Sequence, residues 1–286
     1  AGIIRAPPFG NDLLAEFAKK AIEKEELGKD NITDFLTVSF SSTDYVGHLL
    51  GPRSMELQDT YLRLDQTIAD FLAYLDKTVG KGNYLLFLTA DHAGAENVIY
   101  LKDRKYNVDN YPSKEVKKSL QDFSTKTFGV DLIQNYSNFN VFFNKQIIKD
   151  KGLDINKVKK AFKDFLIAQP QVKKVFTEEE ILANAGNDYS LNFVAKGYDV
   201  TQNGDLVIVD KPGVIEYTAT GTSHGTIYSY DTHVPAIFYG WHIKKGESYD
   251  KKAITEIAPT IAQKIKVSFP NGTEAKVITE VLDNKK

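Results

Sequence analysis

Apolar positions along the chain recur with two different periods. From Asn11, read as a helix N-cap, Leu13, Leu14, Phe17, Ala18, Ala21 and Ile22 return at helical spacing toward a stop at Gly28. Asp34-Phe35-Leu36-Thr37-Val38-Ser39-Phe40 is short and rich in β-branched and aromatic residues, so it reads as a buried strand. Leu57, Tyr61, Leu64, Ile68, Phe71, Leu72, Leu75 and Val79 follow at steps of three and four. They predict a helix of about six turns with one apolar face, ended by Gly80 and Gly82. Tyr84-Leu85-Leu86-Phe87-Leu88-Thr89 is a second buried strand, and strand, helix, strand in this order predicts a right-handed parallel crossover.

Beyond about Tyr111 the pattern changes, with lysine and asparagine frequent and a new order of elements. A helix is followed by a strand at Phe139 to Phe143, a helix at Ile155 to Leu166 and a strand at Leu206-Val207-Ile208-Val209. The last stretch gives a strand, Val234 to Tyr239, and a helix, Ile254 to Ile265. The expectation is an α/β fold with a mainly parallel sheet flanked by helices and an inserted α+β subdomain. Its divisions are a core at residues 1–111, the insertion at 112–215 and a return to the core at 216–286.

Composition narrows the possibilities. Of the 286 residues, 42% are apolar, enough to bury an interior. The charged residues nearly cancel, to a net charge of −2, which excludes the broad basic surface that collects a nucleic acid polymer. Without cysteine there are no disulfides, and a metal is bound through oxygen and nitrogen alone. No apolar run approaches the roughly 18 to 20 residues of a spanning helix, so no membrane partner is expected. The start, Ala1 to Pro8, lacks the basic-then-apolar pattern of a signal peptide, and the end, Asn284-Lys285-Lys286, reads as frayed.

Three short signatures carry the candidate chemistry. Asp44 and His48 stand four residues apart and face one side of a helical turn, with Gly47 between them. Asp91 and His92 are adjacent at the end of the second predicted strand, and His224 is isolated in Gly221-Thr222-Ser223-His224-Gly225. An isolated Asp-x-x-x-His is more often a surface pair, and a histidine beside an acid is often an ordinary turn; three such cases at element ends together point to metal. Carboxylate oxygens with neutral imidazoles suit zinc or manganese, and two such ions form the clamp used for in-line displacement at phosphorus. The predicted ends of parallel strands are also where open α/β sheets place their ligands. Of the other histidines, His233 reads as either orienting a ligand or simply entering a strand, and His242 as structural or solvent-facing. The aromatic stretches Phe139 to Phe143 and Tyr228 to Tyr230 read as core and rim packing.

The run Phe40 to His48 with Gly51-Pro52, the run Thr60 to Asp65, the pair Asp91-His92, and Gly221 to Gly225 followed by His233-Val234-Pro235 resemble the alkaline phosphatase superfamily. Within it they are most similar to the type I phosphodiesterase and nucleotide pyrophosphatase branch that includes secreted bacterial alkaline phosphatases. The motifs occur in family order over most of the chain. The resemblance implies a phosphoric ester hydrolase with two Zn2+ ions, Mn2+ being the alternative metal, acting on small phosphate esters through a covalent phosphoryl-enzyme. It implies that Asp44, His48 and His224 hold one ion and that Asp91 and His92 help hold the other. It places the nucleophilic Ser or Thr and one further aspartate before residue 1, so the chain is expected to be a carboxy-terminal portion of low or no activity alone, with no catalytic nucleophile among its own residues. It also implies a periplasmic or secreted location. Two alternatives accompany this reading: an enzyme similar to cofactor-independent phosphoglycerate mutase, and a non-catalytic metal-binding α/β module.

Overall fold

The computed structural model describes residues 7–184, 186–216 and 219–282. Residues 1–6 of the start and the lysine-rich end singled out in the sequence lie outside the described residues. In chain order the first elements are α1 (Phe9–Lys24), α2 (Ser42–Leu50), α3 (Met55–Leu75), β1 (Leu85–Leu88), α4 (Val98–Asp103), β2 (Asp109–Asn110) and α5 (Ser113–Phe128). Then come β3 (Ile133–Ser137), β4 (Asn140–Phe143), α6 (Lys145–Asp150), α7 (Ile155–Ile167), β5 (Val172–Thr177), α8 (Glu178–Ala183) and α9 (Tyr189–Lys196). β6 (Leu206–Asp210), β7 (Val214–Ile215), α10 (Ser229–Thr232), β8 (Ile237–Gly240) and α11 (Ile257–Ile265) complete the order. They form two compact units, one of residues up to Val46, Arg53–Asp91 and Val234 onward, the other of Gly47–Pro52 and His92–His233. The second unit is wider than the insertion expected at 112–215.

In the first unit α1 packs on α3 through Ala18, Ile22 and Phe71. α1 begins at Phe9, two residues before the expected cap, because Pro7-Pro8 presets the entry and needs no backbone donor. Asn11 is therefore inside the helix; it is 1% exposed, and its Oδ1 accepts the Ser42 N–H at the start of α2, 3.2 Å away. α3 ends in a π turn over Asp76–Gly80, close to the predicted stop. β1 pairs with β8 in an antiparallel ladder from Leu85↔Gly240 to Leu88↔Ile237, and α11 covers it through Ile257 and Ile261.

The expected strand at Asp34–Phe40 is corrected by this unit. The segment joins no ladder among the described residues, and Phe35 and Leu36 are exposed. Phe35 stacks on Phe87 of β1 with ring centroids 6.4 Å apart, so side chains meet without ladder hydrogen bonds. Side-chain period alone reports apolar character; a strand also needs a neighbour at hydrogen-bonding distance. The parallel crossover is thus absent from the described residues, and their one parallel ladder is β2 with β7.

The second unit is built on an antiparallel sheet in the order β3-β4-β6-β5. β6 is central and all five of its residues are buried. Leu206 and Ile208 face the cluster formed with Leu120 of α5 and Phe162 and Leu166 of α7, while Val207 and Val209 face Ile181 of α8 and Leu191 of α9. Helices on both faces explain the unbroken apolar run Leu206 to Val209 where a one-sided strand would alternate. Phe162 is fully buried, with Phe123, Phe128 and Phe143 around its ring at centroid separations of 4.9 to 6.0 Å. Of the aromatics of 139–143, Phe143 is core and Phe139 packs partly buried against the same cluster.

Candidate metal centre

Three histidines from distant parts of the chain converge in the second unit. His48 occupies the last turn of α2, His92 precedes α4, and His224 lies in the loop before α10. His48 Nε2 is 3.1 Å from His224 Nε2. The His92 and His224 rings stack at 3.4 Å and 12°, each offering a nitrogen within 4.8 Å of the other. All three are partly buried.

Backbone carbonyls decide which nitrogen of two of these rings carries its proton. His48 Nδ1 lies 2.9 Å from Thr222 O and His92 Nδ1 lies 2.8 Å from Ala93 O. A carbonyl only accepts, so Nδ1–H is the donor in each and Nε2 is left as the lone-pair nitrogen. Carbonyl-oriented imidazoles of this kind are the usual arrangement behind a metal ligand. The spacing supports the same use: two nitrogens at 2.0–2.1 Å from a tetrahedral zinc stand roughly 3.3 Å apart, close to the His48–His224 separation. The donor set fits zinc.

The loop bearing His224 is fixed by bonds on both flanks. Thr220 Oγ1 donates to Leu49 O at 2.9 Å, Asn97 Nδ2 donates to Gly221 O at 2.7 Å, and Thr222 Oγ1 donates to Ala95 O at 2.8 Å. Asn97 also caps α4, its Oδ1 accepting from Tyr100 N. Gly51 has φ +85°, and a Cβ there would stand 2.5 Å from Thr220 O, so this position needs glycine for both its conformation and the closeness of the two backbones. Asp231, 3% exposed, accepts from Thr226 N and Oγ1 and from Ala93 N. Neither Asn97 nor Asp231 was singled out by spacing, because each acts through a bond to backbone remote in sequence.

The acids of the signatures sit on the same local segments. Asp44 stands one helical turn ahead of His48 on α2, partly buried, which puts the two side chains on one face of the helix. Asp91 is exposed and immediately precedes His92. His233 is exposed at the carboxyl end of α10. His242 is exposed beside Trp241, with ring centroids 4.3 Å apart.

Residues 8–234 match the protein family described as type I phosphodiesterase / nucleotide pyrophosphatase. The alkaline phosphatase PafA of Elizabethkingia meningoseptica is 41% identical over 283 residues, which are 98% of this chain and 52% of that protein. The crystal structure of wild-type PafA superposes with a TM-score of 0.94, covering 99% of this chain and 54% of that one. The calcium-transporting ATPase of Myroides odoratus is 40% identical over 286 residues (98% and 52%), and the alkaline phosphatase PhoV of Synechococcus elongatus is 39% identical over 275 residues (96% and 50%). The chain spans about half the length of the curated relatives it matches.

Proposed function

We propose, from the premise that this chain belongs to the type I phosphodiesterase/nucleotide pyrophosphatase family of phosphatases and phosphodiesterases, that it is the zinc-binding portion of a phosphoric ester hydrolase. Its fold is alkaline phosphatase-like and α/β. Asp44, His48 and His224 hold one ion, and Asp91 and His92 contribute to a second. The nucleophile that would carry the phosphoryl group belongs to the portion of the relatives that this chain does not span. The substrates are small phosphate esters, and the protein works in the periplasm or outside the cell.

One observation carries this reading: His48 and His224 meet at 3.1 Å with the His48 proton held away at Nδ1 by Thr222 O. Bound there, zinc supplies Lewis-acid charge at phosphoryl oxygens and a clamp for in-line displacement. The chain's own residues do the orienting. Thr222 O fixes the His48 tautomer, Ala93 O fixes that of His92, and the bonds from Asn97, Thr220 and Thr222 keep the His224 loop from relaxing away. Neutral imidazoles with carboxylates leave the site room to retain positive charge for an anionic phosphate.

The test is zinc content after dialysis, read by plasma emission, for the protein and for His224→Ala. About one zinc or more per chain that falls sharply in the variant is the expected result. A folded chain without zinc, or equal zinc in both proteins, refutes the assignment. Hydrolysis of p-nitrophenyl phosphate on reconstitution with the remaining half of a relative then tests the activity itself.

A further inference from the structure

We propose that Asp231 is the positioning residue of the imidazole pair His92 and His224. Its carboxylate Oδ2 accepts from Thr226 N at 2.8 Å and Thr226 Oγ1 at 2.7 Å, which fixes the chain two residues beyond His224. Its backbone oxygen accepts from Ala93 N at 2.7 Å, which fixes the chain one residue beyond His92. Two loops separated by more than a hundred positions therefore hang on a single residue, and the rings they carry lie stacked at 3.4 Å. Asp231 is itself held, with its N–H on Tyr228 O at 2.9 Å, and is 3% exposed.

The burial argues for a function beyond turn-making. Asp231 Oδ1 is buried with no hydrogen-bond partner, an arrangement that costs stability. A turn alone would be served by serine, which leaves no second oxygen to bury. What the side chain supplies is one oxygen in short reach that accepts from Thr226 N and Oγ1 at once. Bonds behind a ligand set its orientation, and losing one typically costs about 10- to 100-fold in metal affinity. Asp231 makes its hydrogen bonds to Thr226, Ala93 and Tyr228 and none to either ring, so its effect passes through the loops.

This inference rests on the zinc reading for its affinity arm and is independent of it for its spectroscopic arm. The experiment compares the protein with Asp231→Ala, Asp231→Asn and Thr226→Val. Zinc affinity is measured by competition with a chelating dye, and the imidazole carbon–proton resonances of His92 and His224 are recorded without metal. Asp231→Ala keeps the backbone oxygen that holds Ala93 N and removes the bonds to Thr226, so it is expected to lower affinity about 10- to 100-fold with far-UV circular dichroism retained, and to move the His224 ring resonances with those of the stacked His92 ring following. Asp231→Asn keeps an acceptor oxygen and recovers most of both signals. Thr226→Val removes only the hydroxyl donor and gives a smaller loss in the same direction, so it reads the link should Asp231→Ala not fold. Unchanged ring resonances and affinity in Asp231→Ala, or in Thr226→Val if the alanine variant is unfolded, overturn the proposal. A parent protein that takes up no zinc removes the metal reading alone, and the ring resonances still decide the positioning.

Discussion

Replacing Asp210 by asparagine should flatten the pH dependence of stability. Asp210 ends the central strand β6, is 5% exposed, and neither carboxylate oxygen has a hydrogen-bond partner. Its phase on the strand continues Leu206 and Ile208 toward the side where Tyr111 and Tyr136 pack. Burial pushes its carboxyl from 3.8 up to about 7. The folded chain therefore holds a proton that the unfolded chain has released between those values. A raised folded pKa means stability that is full below about pH 4, falls as pH rises, and is lost once pH passes about 7. At 1.36 kcal/mol per unit, the loss between pH 5 and pH 9 is about 3 kcal/mol. Asparagine does not titrate; its unpaired amide costs about 1–3 kcal/mol at every pH, which offsets the curve without tilting it. Urea unfolding of both proteins from pH 5 to pH 9, followed by far-UV circular dichroism, gives the comparison, with amide exchange of β6 as the local readout. The gap between the two proteins should change by about 3 kcal/mol across that range, a relative midpoint shift on the order of 1 M. Parallel pH profiles would refute the account.

Gly51→Ala should cost about 1–3 kcal/mol, because a positive φ and a 2.5 Å approach to Thr220 O cannot both be kept. The strain falls on the loop leading to His224, so zinc affinity should drop with it; thermal melts and zinc titration of one preparation check both. Phe162→Ala should cost about 3–5 kcal/mol by emptying the centre of the second unit's core, read as a lower urea midpoint, and a loss below 1 kcal/mol would mean the surrounding phenylalanines close the cavity.

The sequence alone was enough to locate the long elements. Leu57 to Val79 repeats at helical spacing over many turns, so its pattern could be satisfied in one way, and α3 follows it. Three of five histidines stand beside glycines or acids at element ends in the sequence, and the structure brings those three rings together. Pairing was beyond reach. Asp34–Phe40 has the composition of a buried strand, but ladder bonds depend on a neighbour, and β1 takes β8 as its antiparallel partner. Convergence was likewise decided only in three dimensions, since His48 and His224 are 176 positions apart. Their meeting rests on Asn97 and Thr220 donating to backbone carbonyls and on the Asp231 carboxylate accepting from a backbone amide, Thr226 N. Such bonds leave no periodicity, because the partner is a carbonyl or amide that every residue possesses. Local pattern records what a segment prefers; which segments meet is set by how the buried faces and backbone donors of the whole chain are satisfied together.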